Sequence, residues 1–171
     1  MRHALYAVAA VALAPFGAFA EAHGGDAITA DIVGADGATV GSIKIMATPS
    51  GMNHITVTAE GIEPGVHGIH LHETGLCEGD FSSAGGHIAG DAEHGVHMEG
   101  GPHPGDLPNA HVQDDGMLAV EVFSGEFEIA EHLMDADGSA FIIHAGADDY
   151  ESQPSGDAGG RVGCAVLAPS S

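Results

Sequence analysis

Apolar residues recur at every second position in short runs of this chain, and the runs are closed by Gly, Pro, Asn and Asp. That period belongs to half-buried β-strands, because successive side chains on a strand point to opposite faces. Residues 53–59 are the clearest case, with Ile55 and Val57 on one face and His54, Thr56 and Thr58 on the other. Further strands are expected over 27–33, 38–46, the stretch after Pro64-Gly65, 110–112, 117–123, 140–144 and 161–167. Asp36-Gly37 is a turn signal between the first two. About eight short strands with turn residues between them suggest an all-β sandwich or flattened barrel in one domain.

Two stretches break the pattern. Residues 73–109 are rich in Gly, His, Asp and Pro, and residues 145–160 are similarly irregular. Loops of that length in a compact domain are expected to be pinned and functional. The strand before the first loop carries Gly68-Ile69-His70-Leu71-His72. Strand alternation puts His70 and His72 on one face and Ile69 and Leu71 on the other. Two side-by-side imidazoles on a rigid strand are half of a metal site.

Residues 1–20 read as a secretory leader: Arg2, then an apolar run over 4–13, then the small-x-small sequence Ala18-Phe19-Ala20. The run is too short to span a membrane as a helix, and the alternative is a buried N-terminal helix. Residues 21–171 would form the mature domain, placed in the periplasm or otherwise exported. In an oxidising compartment Cys77 and Cys164 read as one disulfide, with two buried free thiols as the alternative. The formal net charge is −22, with only three cationic residues, Arg2, Lys44 and Arg161. So acidic a chain is a poor partner for nucleic acid or an anionic membrane surface. No membrane insertion of the mature chain is expected.

The chain resembles the exported bacterial copper/zinc superoxide dismutases. The resemblance is carried by Gly65-Val66-His67-Gly68-Ile69-His70-Leu71-His72, Ser83-Ala84-Gly85-Gly86-His87 and Gly101-Pro102-His103-Pro104-Gly105-Asp106-Leu107-Pro108-Asn109. It continues in Ile143-His144-Ala145-Gly146-Ala147-Asp148-Asp149-Tyr150 and Gly159-Gly160-Arg161-Val162-Gly163-Cys164. It implies an eight-stranded antiparallel Greek-key flattened barrel with two long functional loops. It also implies copper on His70, His72, His87 and His144, and zinc on His87, His94, His103 and Asp106. His87 would bridge the two ions. Imidazole suits Cu(II), and three imidazoles with one carboxylate suit tetrahedral zinc. Asp148 would link a copper-bound to a zinc-bound histidine, fixing their tautomers.

The step from His87 to His94 is shorter than the family pattern, and His97 is the alternative zinc ligand. Of the remaining histidines, His54 reads as solvent-facing, His67 as packed or hydrogen-bonded, and His23 as part of a solvated tail. Arg161 falls at the family's arginine position, where a guanidinium would orient a small anion beside copper. The implied reaction is dismutation of superoxide, with His87 and Arg161 as the catalytic residues, in a monomer or a homodimer. Lysine is absent from residues 145–160, which leaves substrate guidance to a local field. The competing reading is a non-enzymatic copper/zinc-binding module.

Overall fold

The computed structural model describes residues 27–170. The expected leader and His23 lie outside them. Nine strands run in the order β1 (Ile28–Gly34), β2 (Thr39–Ala47), β3 (Asn53–Ala59), β4 (Gly65–His67), β5 (Ile69–His72), β6 (Ala110–Val112), β7 (Leu118–Ser124), β8 (Ser139–His144) and β9 (Arg161–Ala168). Every pairing is antiparallel. The spatial order is β4-β6-β7-β3-β2-β1-β9-β8-β5. The two ends of that row, β4 and β5, are consecutive in sequence, so the sheet curls into a nearly closed barrel.

The strand count departs from the expected eight at one residue, Gly68. The sequence predicts its flanking segments as a single strand. β4 pairs with β6, whereas β5 pairs with β8. Between them the Gly68 N–H donates to the Gly146 carbonyl, and the Gly68 carbonyl accepts from the His144 N–H. The chain thus changes ladders at Gly68 and turns one periodic run into two strands. Sequence alternation persists through this corner and does not reveal it.

Alternation sorts the interior as expected. Ile32, Ile43, Ile45, Ile55, Val57, Leu118, Phe141 and Ile143 fill the barrel, together with Ile69 and Leu71 of β5. A smaller cluster lies outside the barrel wall. There Ala140, Ile142 and Cys164 of β8 and β9 are covered by Phe81 and Ala84 of the first loop, with Cys77 packed alongside. The Cys77–Cys164 disulfide holds that cover, with a Cα–Cα distance of 5.8 Å.

The first loop also completes the exposed edge of β5. The Leu71 N–H donates to the Gly105 carbonyl, the Ile88 N–H to the Leu71 carbonyl, and the Glu73 N–H to the Gly86 carbonyl. Isolated bridges pair His72 with His87 and His70 with Asp106. An edge that would otherwise present bare donors and acceptors is closed by the segment carrying the candidate ligands.

Phe141 is fully buried in the barrel. Phe141→Ala is expected to cost about 3–5 kcal/mol, read as a lowered denaturant midpoint at unchanged slope.

Candidate metal centre

β5 presents His70 and His72 on its outer face, and the loop buries both. β8 presents His144 on the same face, two positions beyond Ile142. His87 reaches them from the loop through its bridge to His72. These four residues place one ligand atom each within 4.8 Å of one another. Four ring nitrogens of the cluster are buried without a hydrogen-bond partner: His70 Nδ1, His72 Nε2, His87 Nε2 and His144 Nε2. The opposite nitrogen of three of these rings is occupied. His70 Nε2 lies 2.7 Å from Asp148 Oδ2, His72 Nδ1 lies 3.0 Å from the Gly85 carbonyl, and His144 Nδ1 lies 3.3 Å from the Gly159 carbonyl. Carbonyl oxygens and carboxylates accept, so those nitrogens donate, and the lone pairs fall on the orphaned ones.

A second cluster shares His87. The Nδ1 atoms of His87, His94 and His103 lie 2.9, 3.0 and 3.2 Å from one oxygen, Asp106 Oδ1. A tetrahedral zinc with ligands at about 2.0–2.1 Å has edges of about 3.3 Å. The spacing therefore fits four donors around one small ion. The other Asp106 oxygen accepts from the Gly95 and His103 N–H groups, at 2.8 and 3.0 Å. His87 thus turns Nδ1 to one cluster and Nε2 to the other, the disposition a bridging imidazole needs. Asp148 joins the clusters from behind, accepting from His70 Nε2 and, at 3.0 Å, from His94 Nε2.

Comparison with known proteins identifies the family. The model of the copper/zinc superoxide dismutase family matches residues 39–167. The chain belongs to the copper/zinc superoxide dismutase family. The Cu-Zn superoxide dismutase of Caulobacter vibrioides is 36% identical over 147 residues, covering 81% of this chain and 84% of that protein. A solved structure of a superoxide dismutase-like protein from Bacillus subtilis matches with a TM-score of 0.78 and 37% identity, covering 82% of this chain and 97% of that one. The Cu/Zn superoxide dismutase from Brucella abortus matches at 30% identity and a TM-score of 0.69, covering 83% and 99%. As a member of this family the chain is a copper- and zinc-dependent oxidoreductase.

His97 stands apart from both clusters of this superoxide dismutase fold. It is exposed, with its ring 5.9 Å from that of Tyr150. His94 is fully buried. The turn that inserts it uses Gly95 at φ 92°, where a β-carbon would collide with the Tyr150 carbonyl oxygen. His67 hydrogen-bonds the His144 and Glu63 carbonyls and does not join the metal clusters. His54 lies on the outer face of β3, partly exposed, against Glu121 and Phe123.

Arg161 closes one side of a cavity of about 160 Å³ lined by His72, His87, His144, Pro154, Ser155 and Gly159. Its guanidinium donates to the Phe81 carbonyl and, at 2.6 Å, to the Gly85 carbonyl. Both acceptors belong to the disulfide-tethered loop, so the bridge fixes the arginine as well as the wall.

The sequence reading missed Asn109 and Gln153, which grip main-chain groups of Asp148 and His94. Asn109 ends the segment Gly101-Pro102-His103-Pro104-Gly105-Asp106-Leu107-Pro108-Asn109. No local signal marks Gln153, because its partner is distant in sequence.

Electrostatics prepares the nitrogens for metal. Burial lowers His70 to about 4, His144 to about 3 and His72 to about 2, aided by mutual repulsion with neighbouring rings. Burial alone would raise Asp148, but hydrogen bonds from His70 and His94 bring it to about 2. Asp106 is held well below the usual carboxylate range, because hydrogen bonds from His87 and the Gly95 and His103 N–H groups outweigh its burial. Neutral imidazoles and ionised carboxylates are the forms that bind metal.

In the unfolded chain these histidines protonate near pH 6.5. Below that pH the unfolded state binds more protons than the folded one, so stability falls as pH falls. The metal-free protein is expected to lose stability between about pH 6.5 and 4, where His70 begins to protonate in place. Denaturant midpoints across that range check this. His72→Gln is expected to flatten the slope.

Proposed function

We propose that this chain dismutes superoxide outside the cytoplasm, using a copper held by His70 Nδ1, His72 Nε2, His87 Nε2 and His144 Nε2. A structural zinc would be held by His87, His94 and His103 through Nδ1 and by Asp106. The observation that carries this reading is the pairing of four buried, partnerless ring nitrogens with a second cluster that shares His87. The zinc set leaves no protein-side position open, which suits a structural ion. Copper, when bound, supplies a one-electron acceptor and donor.

The chain's own residues supply the rest. Two superoxide anions and two protons give one dioxygen and one hydrogen peroxide. Arg161, fixed by two carbonyls at the cavity wall, attracts each anion and orients it toward the His72, His87 and His144 rings. His87 Nε2, in the part of the cycle when its lone pair does not hold copper, would carry one proton to the nascent peroxide, while the second proton comes from solvent. His87 stays oriented through Nδ1, and Asp148 keeps His70 and His94 in the required tautomers.

Export follows from the leader reading of residues 1–20, with the mature chain beginning at Glu21. The Cys77–Cys164 disulfide supports this, since such bonds persist in oxidising compartments. Among the described residues no helix is long and apolar enough to cross a membrane.

Removing copper from the metallated protein is expected to abolish dismutation, and restoring it to recover the rate. A rate that survives copper removal would overturn the reading. Arg161→Ala is expected to lower the catalytic rate constant several-fold with copper retained, as followed by stopped-flow superoxide decay and metal analysis. With a net charge of −22, moderate salt screens repulsion of an anionic substrate. The rate is therefore expected to rise or stay flat as salt is added; a steep fall would contradict purely local guidance.

A further inference from the structure

Over the metal clusters, two side-chain amides each grip a peptide of the opposite loop. Gln153, from the second loop, accepts the His94 N–H on Oε1 at 2.9 Å and donates Nε2 to the His94 carbonyl, also at 2.9 Å. Its remaining amide contact goes to the Glu151 carbonyl at 3.0 Å. Asn109, from the first loop, does the same to Asp148. Oδ1 accepts the Asp148 N–H at 2.9 Å and Nδ2 donates to the Asp148 carbonyl at 2.8 Å. The loops are thus cross-clamped at the residue that would bind zinc and at the carboxylate behind it.

The Gln153 grip has chemical requirements that few side chains meet. It needs a donor and an acceptor on one planar group, as an amide provides and a carboxylate or ammonium does not. It also needs the reach of two methylenes. Gln153 is exposed whereas His94 is fully buried, so the clamp acts from outside on a residue whose ring is already enclosed. The His94 ring donates from Nε2 to Asp148, which leaves Nδ1 as a lone pair turned toward Asp106. With the main chain gripped as well, both the ring and the backbone of His94 are held by hydrogen bonds before any ion arrives.

We propose that Gln153 is a positioning residue for zinc: by clamping the His94 peptide it preorganises the His87–His94–His103–Asp106 site and couples zinc retention to the order of the second loop. The inference rests on the zinc assignment proposed above. An ion entering a preformed site need not be charged for ordering its ligands, so loss of the clamp appears as weaker zinc binding. The converse also holds: zinc, by fixing His94, holds Gln153 and the loop segment attached to it.

The test uses the full mature chain carrying Gln153→Met, which keeps the length but neither donates nor accepts. Gln113→Met, at an exposed turn, is the control. Zinc affinity is measured by competition with a chelating dye, copper affinity separately, and hydrogen exchange is followed at the His94 amide and in the β-strands. The expected result is a zinc dissociation constant raised by about tenfold in Gln153→Met alone. Faster exchange at His94 and unchanged exchange in the strands should accompany it. A zinc constant within twofold of the parent overturns the clamp, as does an equal weakening of copper binding or loss of strand protection, which would mark general loosening. A parent chain that takes up no zinc overturns the zinc assignment itself, so the two failures are told apart.

Discussion

The Asp148 carboxylate is the point on which the site's geometry depends. It is buried, and its two oxygens accept from His70 and His94, residues on different elements that serve different clusters. A carboxylate can only accept, so a single ionised group dictates the tautomer of one ring in each cluster. Space for it is kept by Gly156 at φ 66°, where a β-carbon would run into the carboxylate. Its main chain is secured by Asn109. The two candidate ion sites are therefore joined twice, at the front through His87 and at the back through Asp148.

Much of this was legible in the sequence because the relevant information is local. Alternation placed His70 and His72 opposite Ile69 and Leu71, and the structure puts the histidines under the loop and the aliphatics in the barrel. The corner at Gly68 was not legible, since a strand that changes partners keeps its alternation. The contribution of residues such as Gln153 and Gly85 was also hidden. Gly85 acts through its carbonyl, which every residue type carries, and Gln153 acts across the gap between two loops. In the sequence the choice between His94 and His97 turned on the His94-Gly95 pair and on the spacing to His103. In the fold it is a matter of backbone: the Gly95 turn carries His94 inward, and the chain has returned to the surface by His97.

Charge divides the molecule into two scales. Across its surface the protein is strongly acidic, whereas Arg161, its only cation besides Lys44 among the described residues, sits at the rim of the cavity over His72, His87 and His144. The carbonyls of Phe81 and Gly85 hold the guanidinium by dipoles rather than by a carboxylate partner, so its charge is oriented without being neutralised. Asp80, nearby, is exposed to solvent. A small anion would thus meet a repulsive exterior and an attractive pocket, which shifts selectivity toward short-range recognition.

The hydrogen bonds between β5 and residues 86, 88 and 105 also constrain how such a chain can change length. Those loop positions are in register with a strand, and a residue inserted at any of them would turn ligands away and leave edge groups of Leu71 or Glu73 bare. The span from Val96 to Gly100 carries no such register and is largely exposed. Tolerance to insertion and deletion is therefore unevenly distributed along a loop that looks uniformly irregular in sequence. The interval before His94 lies between a fixed anchor at Ile88 and a fixed turn at Gly95, so its length is a property of the barrel edge as much as of the candidate metal site.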